Sequence, residues 1–164
     1  KDAVRTLAKE IADLGDVKIC GRCFFVHRNQ GLLCDICGDK NRRQGLVMIV
    51  EKETDLLSIE NTGKFHGRYF ILGAIPRTGV LEDSQKLRFK NLKSFILKEL
   101  GGQAEEIILG FNPTSVGDFN ASLIAKELQP IAKKISRLGR GLPTGGEIEF
   151  ADDDTLGAAL ERRG

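Results

Sequence analysis

The sequence is poor in several residue types that mark particular protein classes. Its 164 residues include no tryptophan, one tyrosine, one methionine and two histidines. Its longest apolar runs, such as residues 46–50, are far shorter than the ~20 residues of a membrane-spanning helix, and no signal-peptide pattern is visible. The formal net charge is only +2, so an argument for nucleic-acid binding depends on local clusters of charge. These absences predict a globular protein without a membrane segment.

Motifs of nucleotide hydrolysis and nucleophilic catalysis are also missing. No G-x-x-x-x-G-K-[ST] pattern occurs, which excludes a P-loop. His27 and His66 have no set of Ser, Cys and Asp close to them in the sequence, so a catalytic triad is not indicated. Residues 141–147, GLPTGGE, are typical either of an anion-binding nest or of a hinge, and the sequence leaves both readings open.

The cysteines are the strongest chemical signal that is present. Two CxxC pairs are separated by ten residues, and their members are Cys20, Cys23, Cys34 and Cys37. This spacing suits tetrahedral thiolate ligation of Zn²⁺. The alternatives are two disulfides or a redox pair. Disulfides need an oxidising compartment, for which there is no secretory evidence, and one redox pair leaves the other pair unexplained. We therefore expect one structural zinc ion per chain.

The apolar patterns predict alternating strands and helices. Strands are expected over residues 45–51, 68–72, 105–112 and 133–139, and helices over residues 3–14, 55–61, 84–100 and 119–128. Thr54 is a candidate N-cap for the second helix. In the tail, Ile148 and Phe150 are expected in an extended arm, and Asp154 or Thr155 at the start of a last helix. This order predicts an α/β fold with a mainly parallel sheet flanked by helices.

Several motifs together resemble the RecR family of bacterial recombination mediators. After the cysteines come VMIVE (47–51), ENTGKFHGRYFILG (60–73), ILGFNPTSVGDFNA (108–121) and, most specific, ISRLGRGLPTGGEIEFADDDTL (135–156). The resemblance implies an N-terminal helix over 1–16, a zinc knuckle over 17–43, a Toprim domain over 44–140 and a C-terminal arm for subunit contact over 141–164. Family members also begin with a helix-hairpin-helix element. We expect residues 1–16 to hold only its remnant.

The resemblance also explains the loop NPTSVGDFNAS (112–122). Catalytic Toprim domains hold Mg²⁺ with a Glu after the first strand, an Asp-x-Asp after a later one and often a Glu-Gly-Glu element. Here Glu51 matches the first position, while Asn112 and Thr114 replace the two aspartates. Of the Glu-Gly-Glu element, only one acidic residue remains, Asp118. Amide and hydroxyl groups do not balance a divalent charge. We expect a degenerate acidic site without catalysis.

Basic residues around the cysteines are candidates for weak DNA contact. They are Lys18, Arg22, Arg28, Arg42 and Arg43. Phe24 and Phe25 lie among them and either stack on bases or pack the knuckle onto the sheet. The basic residues at 86, 88, 90, 93 and 98 predict a solvated helix face.

The family resemblance implies a role in DNA repair. RecR-like proteins are non-enzymatic mediators that form a clamp-like oligomer and, with RecO and in some settings RecF, help load the RecA recombinase onto single-stranded DNA. It also implies a cytoplasmic, nucleoid-associated bacterial protein. Two rival hypotheses are a metal-dependent Toprim nuclease or primase-like enzyme and an adaptor that binds only proteins.

Overall fold

The computed structural model describes residues 2–161. The helices are α1 (Asp2–Asp13), α2 (Asp35–Gly38), α3 (Glu53–Glu60), α4 (Asp83–Glu99), α5 (Ser115–Leu128) and α6 (Asp153–Glu161), and the strands are β1 (Lys18–Ile19), β2 (Val26–His27), β3 (Leu46–Val50), β4 (Arg68–Ile71), β5 (Glu106–Gly110) and β6 (Ile135–Arg137). Short 3₁₀ turns cover Leu14–Asp16, Gln129–Ile131 and Ile148–Phe150. None of the helices within residues 2–161 is both long and apolar enough to cross a bilayer.

The four longer strands form one parallel sheet in the order β4-β3-β5-β6. β3 lies inside it, where Val47 is opposite Arg68 of β4 and Ile107 of β5. Residues 47–50 are all buried, because a strand with helices on both sides of the sheet must be apolar on both faces. The predicted α/β fold with a mainly parallel sheet is confirmed.

The two faces of the sheet have separate cores. Val47 and Ile49 point to a large cluster that includes Leu92 and Ile96 of α4 and Ile124 of α5. The alternate residues of β3 belong to a smaller cluster on the opposite face, with members Met48, Val50, Leu56, Phe65, Tyr69 and Ile71. This alternation follows from the two-residue period of a strand. Because the four strands run parallel, their carboxyl ends share one edge of the sheet, which we call the carboxyl edge.

Two helices, α3 and α5, begin two or more residues earlier than the sequence predicts. α3 begins at Glu53 because the Asp55 carboxylate accepts a hydrogen bond from the Lys52 amide at 3.0 Å, so Lys52 and not Thr54 is its N-cap. α5 begins at Ser115 because Thr114 Oγ1 accepts from the Gly117 amide at 3.0 Å. Asp118 therefore lies in the first turn of a helix and not in a loop.

The expectation of an extended arm at Ile148 and Phe150 is wrong. These residues form a 3₁₀ turn, because the amide of Phe150 donates to the Glu147 carbonyl and that of Ala151 to the Ile148 carbonyl, both at 3.2 Å. Both side chains project into solvent, with Ile148 68% and Phe150 80% exposed. The last helix is α6, one residue earlier than expected.

Candidate functional sites

The four cysteines converge in the knuckle, residues 17–43. Their Sγ atoms all lie within 4.8 Å of one another, the four residues are buried, and all four thiols are free. Cys23 Sγ and Cys34 Sγ are 3.5 Å apart. Sulfurs around a tetrahedral ion with Zn–S bonds of about 2.3 Å are separated by about 3.8 Å. The cluster therefore has the ligand type and the spacing of a four-thiolate zinc site.

Local backbone geometry brings the two pairs together. The first pair closes the β1–β2 hairpin, where the Cys20 amide donates to the Phe25 carbonyl at 2.8 Å and the Phe24 amide to the Cys20 carbonyl at 3.1 Å. This turn places Phe24 at a φ of +67°, in the left-handed region. In the second pair Cys34 is the N-cap of α2 and Cys37 lies within that helix, and the Cys34 amide points at Cys20 Sγ at 3.4 Å. An amide directed at sulfur stabilises a thiolate.

The thiols perturb one another strongly. The Cys23 thiol, followed by those of Cys34 and Cys37, donates hydrogen bonds to Cys20 and lowers the pKa of Cys20. The pKa of Cys23 is raised by its hydrogen bonds with Cys20, Cys34 and Cys37 and by its burial. Four buried thiols whose sulfurs lie within 4.8 Å of one another are suited to give up their protons to a cation.

Arg68 fixes the knuckle to the sheet, a role that its position in the sequence does not predict. It is 3% exposed, and its guanidinium donates to the carbonyls of Ile36 (2.8 Å), Cys37 (3.1 Å) and Asp39 (2.8 Å) and to Gln44 Oε1 (2.9 Å). Burial lowers the pKa of Arg68. The second CxxC pair is thus held by a charged group that belongs to β4.

Both phenylalanines of the knuckle pack against the protein. Phe24 meets Phe70 edge-to-face with centroids 5.4 Å apart, and Phe25 packs against the sulfur cluster and the smaller sheet core. The guanidinium of Arg88 lies 5.0 Å from the centroid of Phe24 and donates to the Ile71 carbonyl at 3.2 Å. The prediction of a solvated face is therefore wrong for Arg88.

Most of the candidate DNA-binding residues have intramolecular partners. Arg22 pairs with Glu99 at 2.7 Å and Arg43 with Glu105 at 2.9 Å. Arg42 pairs with Glu60, and its side chain is only 12% exposed.

The other two candidates, Lys18 and Arg28, have no carboxylate partner within residues 2–161. Lys18 Nζ donates to two backbone carbonyls, those of Asn29 and Gln30, both at 3.2 Å. Arg28 is exposed and has no hydrogen bond or ion pair within residues 2–161. The DNA-binding role of all five residues stays a prediction. Arg28 and Lys18 are the stronger candidates, because the other three are paired with carboxylates of the same chain.

The degenerate acidic residues gather at the carboxyl edge, but each has a partner within the chain. Glu51 accepts from Asn112 Nδ2 at 3.3 Å and from the Ile75 amide at 3.4 Å. Thr114 uses its hydroxyl to cap α5. Within residues 2–161, the cysteines are the only group of three or more His, Cys, Asp or Glu residues close enough to hold a metal ion.

Asp118 faces two arginines that the sequence argument missed. Its Oδ1 accepts from Arg137 Nη1 at 3.1 Å and from Arg140. The hydrogen bond from Arg140, followed by the charges of Arg140 and Arg137, lowers the pKa of Asp118. Arg137 ends β6 and Arg140 follows it, so the parallel topology delivers both to the carboxyl edge. Two guanidinium groups thus supply the positive charge beside this carboxylate.

Comparison with known proteins is consistent with this geometry. The Toprim domain family matches residues 45–139, and the RecR C-terminal family matches residues 141–163. Recombination protein RecR of Frankia alni is 37% identical over 163 residues, which cover 98% of this chain and 78% of the relative. The chain belongs to the RecR family. The RecR proteins of Chloroflexus aggregans and Roseiflexus sp. are 38% and 39% identical, with 97% and 90% of this chain and 76% and 69% of those relatives covered.

Membership of the RecR family confirms the resemblance that the sequence motifs indicated. The missed residues, Arg68, Arg137 and Arg140, all lie on or just after a sheet strand. For Arg137 and Arg140 the available signal was their position at the end of β6, because parallel strands bring the residues that follow them to one edge. Arg68 begins β4, and its position carried no such signal.

Proposed function

We propose that this chain is a non-enzymatic mediator of recombination in DNA repair whose knuckle holds one structural zinc ion. The observation that carries the proposal is the joint occurrence of a buried four-cysteine cluster and an acidic site whose two carboxylates already accept hydrogen bonds from within the chain. The names of the RecR relatives support the recombination role.

Zinc would be held by Cys20, Cys23, Cys34 and Cys37. Four thiolates complete a tetrahedral shell and leave no open position for water or substrate, which is the arrangement of a structural ion. The ion would stabilise a segment with little apolar core of its own.

The acidic site is proposed to serve structure and contacts instead of catalysis. Mg²⁺ favours several oxygen ligands in octahedral geometry. Glu51 is engaged with Asn112, and Asp118 with Arg137 and Arg140, so a cation there competes with two resident positive charges. The two resident arginines therefore disfavour the nuclease or primase-like alternative.

The proposed partners come from the RecR relationship. They are DNA, bound weakly and without sequence preference, RecO, in some settings RecF, and further copies of the chain in a dimer or tetramer ring that helps to load RecA. The proposed organisation is helix 1–16, knuckle 17–43, Toprim domain 44–140 and contact arm 141–164, in a bacterial cytoplasmic, nucleoid-associated protein. The exposed Ile148 and Phe150 support the arm's contact role.

The test combines binding with the absence of cleavage. Single-stranded DNA of several sequences should bind equally well, and the log–log salt slope should flatten by about 0.7 for each phosphate contact removed. Arg28→Glu with Lys18→Glu should weaken binding more than Lys64→Glu with Lys52→Glu, an exposed pair of equal charge. With Mg²⁺ or Mn²⁺ the protein should leave plasmid DNA intact. Nicking that Glu51→Gln abolishes would establish the enzyme alternative, and binding insensitive to salt would contradict a phosphate-contacting mediator.

A further inference from the structure

The strand β6 forms an unpaired border of the sheet. It is the last strand in the order β4-β3-β5-β6, and its Ile135 lies opposite Ile107 of β5, whose amide donates to the Lys134 carbonyl at 2.9 Å. In a parallel ladder of this register, Ser136 turns its amide and carbonyl toward β5, whereas Ile135 and Arg137 turn theirs outward. These four outward groups have no hydrogen-bond partner within residues 2–161. We call this outward side of Ile135–Arg137 the β6 border.

A cavity of about 360 Å³ opens beside the β6 border, between β6 and α5. Its apolar lining comes from Leu109, Ala125, Ala132 and Ile135, which belong to the larger of the two sheet cores or pack against it. Ile135 therefore turns its side chain to this face of the sheet, while its backbone groups point outward in the plane of the sheet. Free backbone groups beside a pocket for alternate side chains are the two parts of a strand-addition site.

The arm contains a segment, residues 147–151, whose pattern matches such a site. Its apolar residues, Ile148 and Phe150, alternate with Glu147 and Glu149, which is the two-residue period of a strand. All of residues 141–150 are exposed, and the 3₁₀ turn is closed by two hydrogen bonds of 3.2 Å each. Hydrogen bonds of 3₁₀ geometry are weaker than those of an α-helix. A strand-like sequence is thus held in a turn by two weak bonds and no tertiary packing.

We infer that, when the protein self-associates, residues 147–151 of one copy unwind from the turn and add as a strand to the β6 border of a second copy. Ile148 and Phe150 then face the cavity, and Glu147 and Glu149 lie on the opposite face of the sheet. This inference rests on the proposed contact role of the arm and names the surface that receives it.

The two surfaces carry opposite charges. Lys126 and Lys133 line the cavity and have no carboxylate partner within residues 2–161. Lys134 lies next to them in the chain, paired with Glu106 at 2.9 Å but with its side chain 66% exposed. The segment contributes two glutamates that have no cationic partner within the described residues, and three aspartates follow it. Opposite charges of this kind favour the encounter of the two surfaces and suppress other partners.

The segment and the β6 border of one chain do not meet. None of residues 141–151 lines the cavity beside β6, and residues 141–150 are exposed throughout. A single chain therefore leaves both the strand-like segment and the free border without a partner. A second copy supplies the missing partner to each of them, so the contact repeats from copy to copy with the same residues.

Amide hydrogen exchange of the full chain, measured by NMR residue by residue, tests the backbone pairing. The amides of Ile135 and Arg137 should exchange at least about tenfold more slowly in the self-associated parent protein than in Ile148→Asp with Phe150→Asp. The Ser136 amide faces β5 and should be slow in both, which makes it an internal control. Leu32→Asp with Leu87→Asp places two aspartates at other exposed apolar positions and should leave the exchange of all three amides unchanged.

A charge exchange identifies the two surfaces that meet. Glu147→Lys with Glu149→Lys, and separately Lys133→Glu with Lys134→Glu, should each lower the number of subunits per particle in light scattering, because like charges then face each other. An equimolar mixture of the two variants should regain the parent number, since every arm again finds a border of opposite charge. Lys52→Glu with Lys64→Glu, an exposed pair elsewhere, should associate like the parent protein.

The outcomes separate this inference from the proposed function. If both charge variants associate like the parent protein, or if their mixture does not regain the parent number, the arm does not dock at the β6 border, while its contact role is still judged by deletion of residues 142–164. A parent protein with one subunit per particle would overturn both proposals. Slow exchange of the Ile135 and Arg137 amides in particles of one subunit would overturn the inference, because the arm would then pair with its own β6.

Discussion

The clamp that Arg68 forms between β4 and the knuckle gives the sharpest test of the architecture. Arg68→Met keeps most of the aliphatic volume but removes the guanidinium. Three backbone carbonyls, those of Ile36, Cys37 and Asp39, then lose their donor in a buried setting. At ~1 kcal/mol net for each hydrogen bond, and with the bond to Gln44 added, the loss amounts to about 3–4 kcal/mol. For a chain of this size that corresponds to a fall in Tm of roughly 10 °C.

Calorimetry and a chelator assay measure the two consequences of Arg68→Met. The melting temperature should fall as estimated, and a chromogenic chelator should extract zinc faster than from the parent protein. Arg43→Met is the matched control. It removes an arginine from an exposed pair whose side chains are 66% and 57% exposed, and such pairs contribute at most about 1 kcal/mol. If both variants melt within about 2 °C of each other, the clamp does not hold the knuckle.

Three further outcomes follow from the structure. Metal analysis of reduced protein should give one zinc per chain, and Cys34→Ser should lose it while circular dichroism keeps the signal of the sheet and its helices; no zinc in the parent protein would contradict the metal site. Because its folded-state pKa is lowered, Asp118 stabilises the protein at pH values above its unfolded pKa of about 4, and this stabilisation is lost as pH falls through the folded pKa. Asp118→Asn should reduce the fall in melting temperature that acidification causes. An unchanged fall would show that the contact of Asp118 with Arg140 contributes nothing to this stability. Deleting residues 142–164 should lower the number of subunits per particle, as measured by light scattering, without unfolding the sheet, whereas an unchanged number of subunits would mean that the arm folds back on its own subunit.

The sequence predicted those parts of the fold that local patterns determine. Residues 46–50 are apolar without interruption, which is typical of a strand covered on both faces, and the CxxC spacing indicated the thiol cluster directly. Helix starts were less accurate. The first turns of α3 and α5 each depend on one backbone amide that donates to a side chain, Asp55 in α3 and Thr114 in α5, and apolar periodicity does not reveal such bonds.

The roles of individual arginines were beyond the sequence because their partners are distant. Arg42 reads as a surface cation, yet it is paired with Glu60, 18 positions later, in a half-enclosed site. Arg68 reads as a polar residue at the start of a strand, yet it is one of the most buried charges described. Whether a basic residue faces DNA or its own protein is decided by tertiary packing, and a count of charges does not contain that information.

The position of the knuckle has a consequence for solubility. β4 is at one border of the sheet, and an unpaired border strand is a template on which other chains can add strands. The Cys23 carbonyl accepts from the Ile71 amide at 2.9 Å, and the guanidinium of Arg68 is turned toward the second CxxC pair. The knuckle therefore shields this border. Loss of the proposed zinc ion would free a buried apolar strand to pair with strands of other chains, so chelation should cause aggregation through intermolecular β-strand pairing.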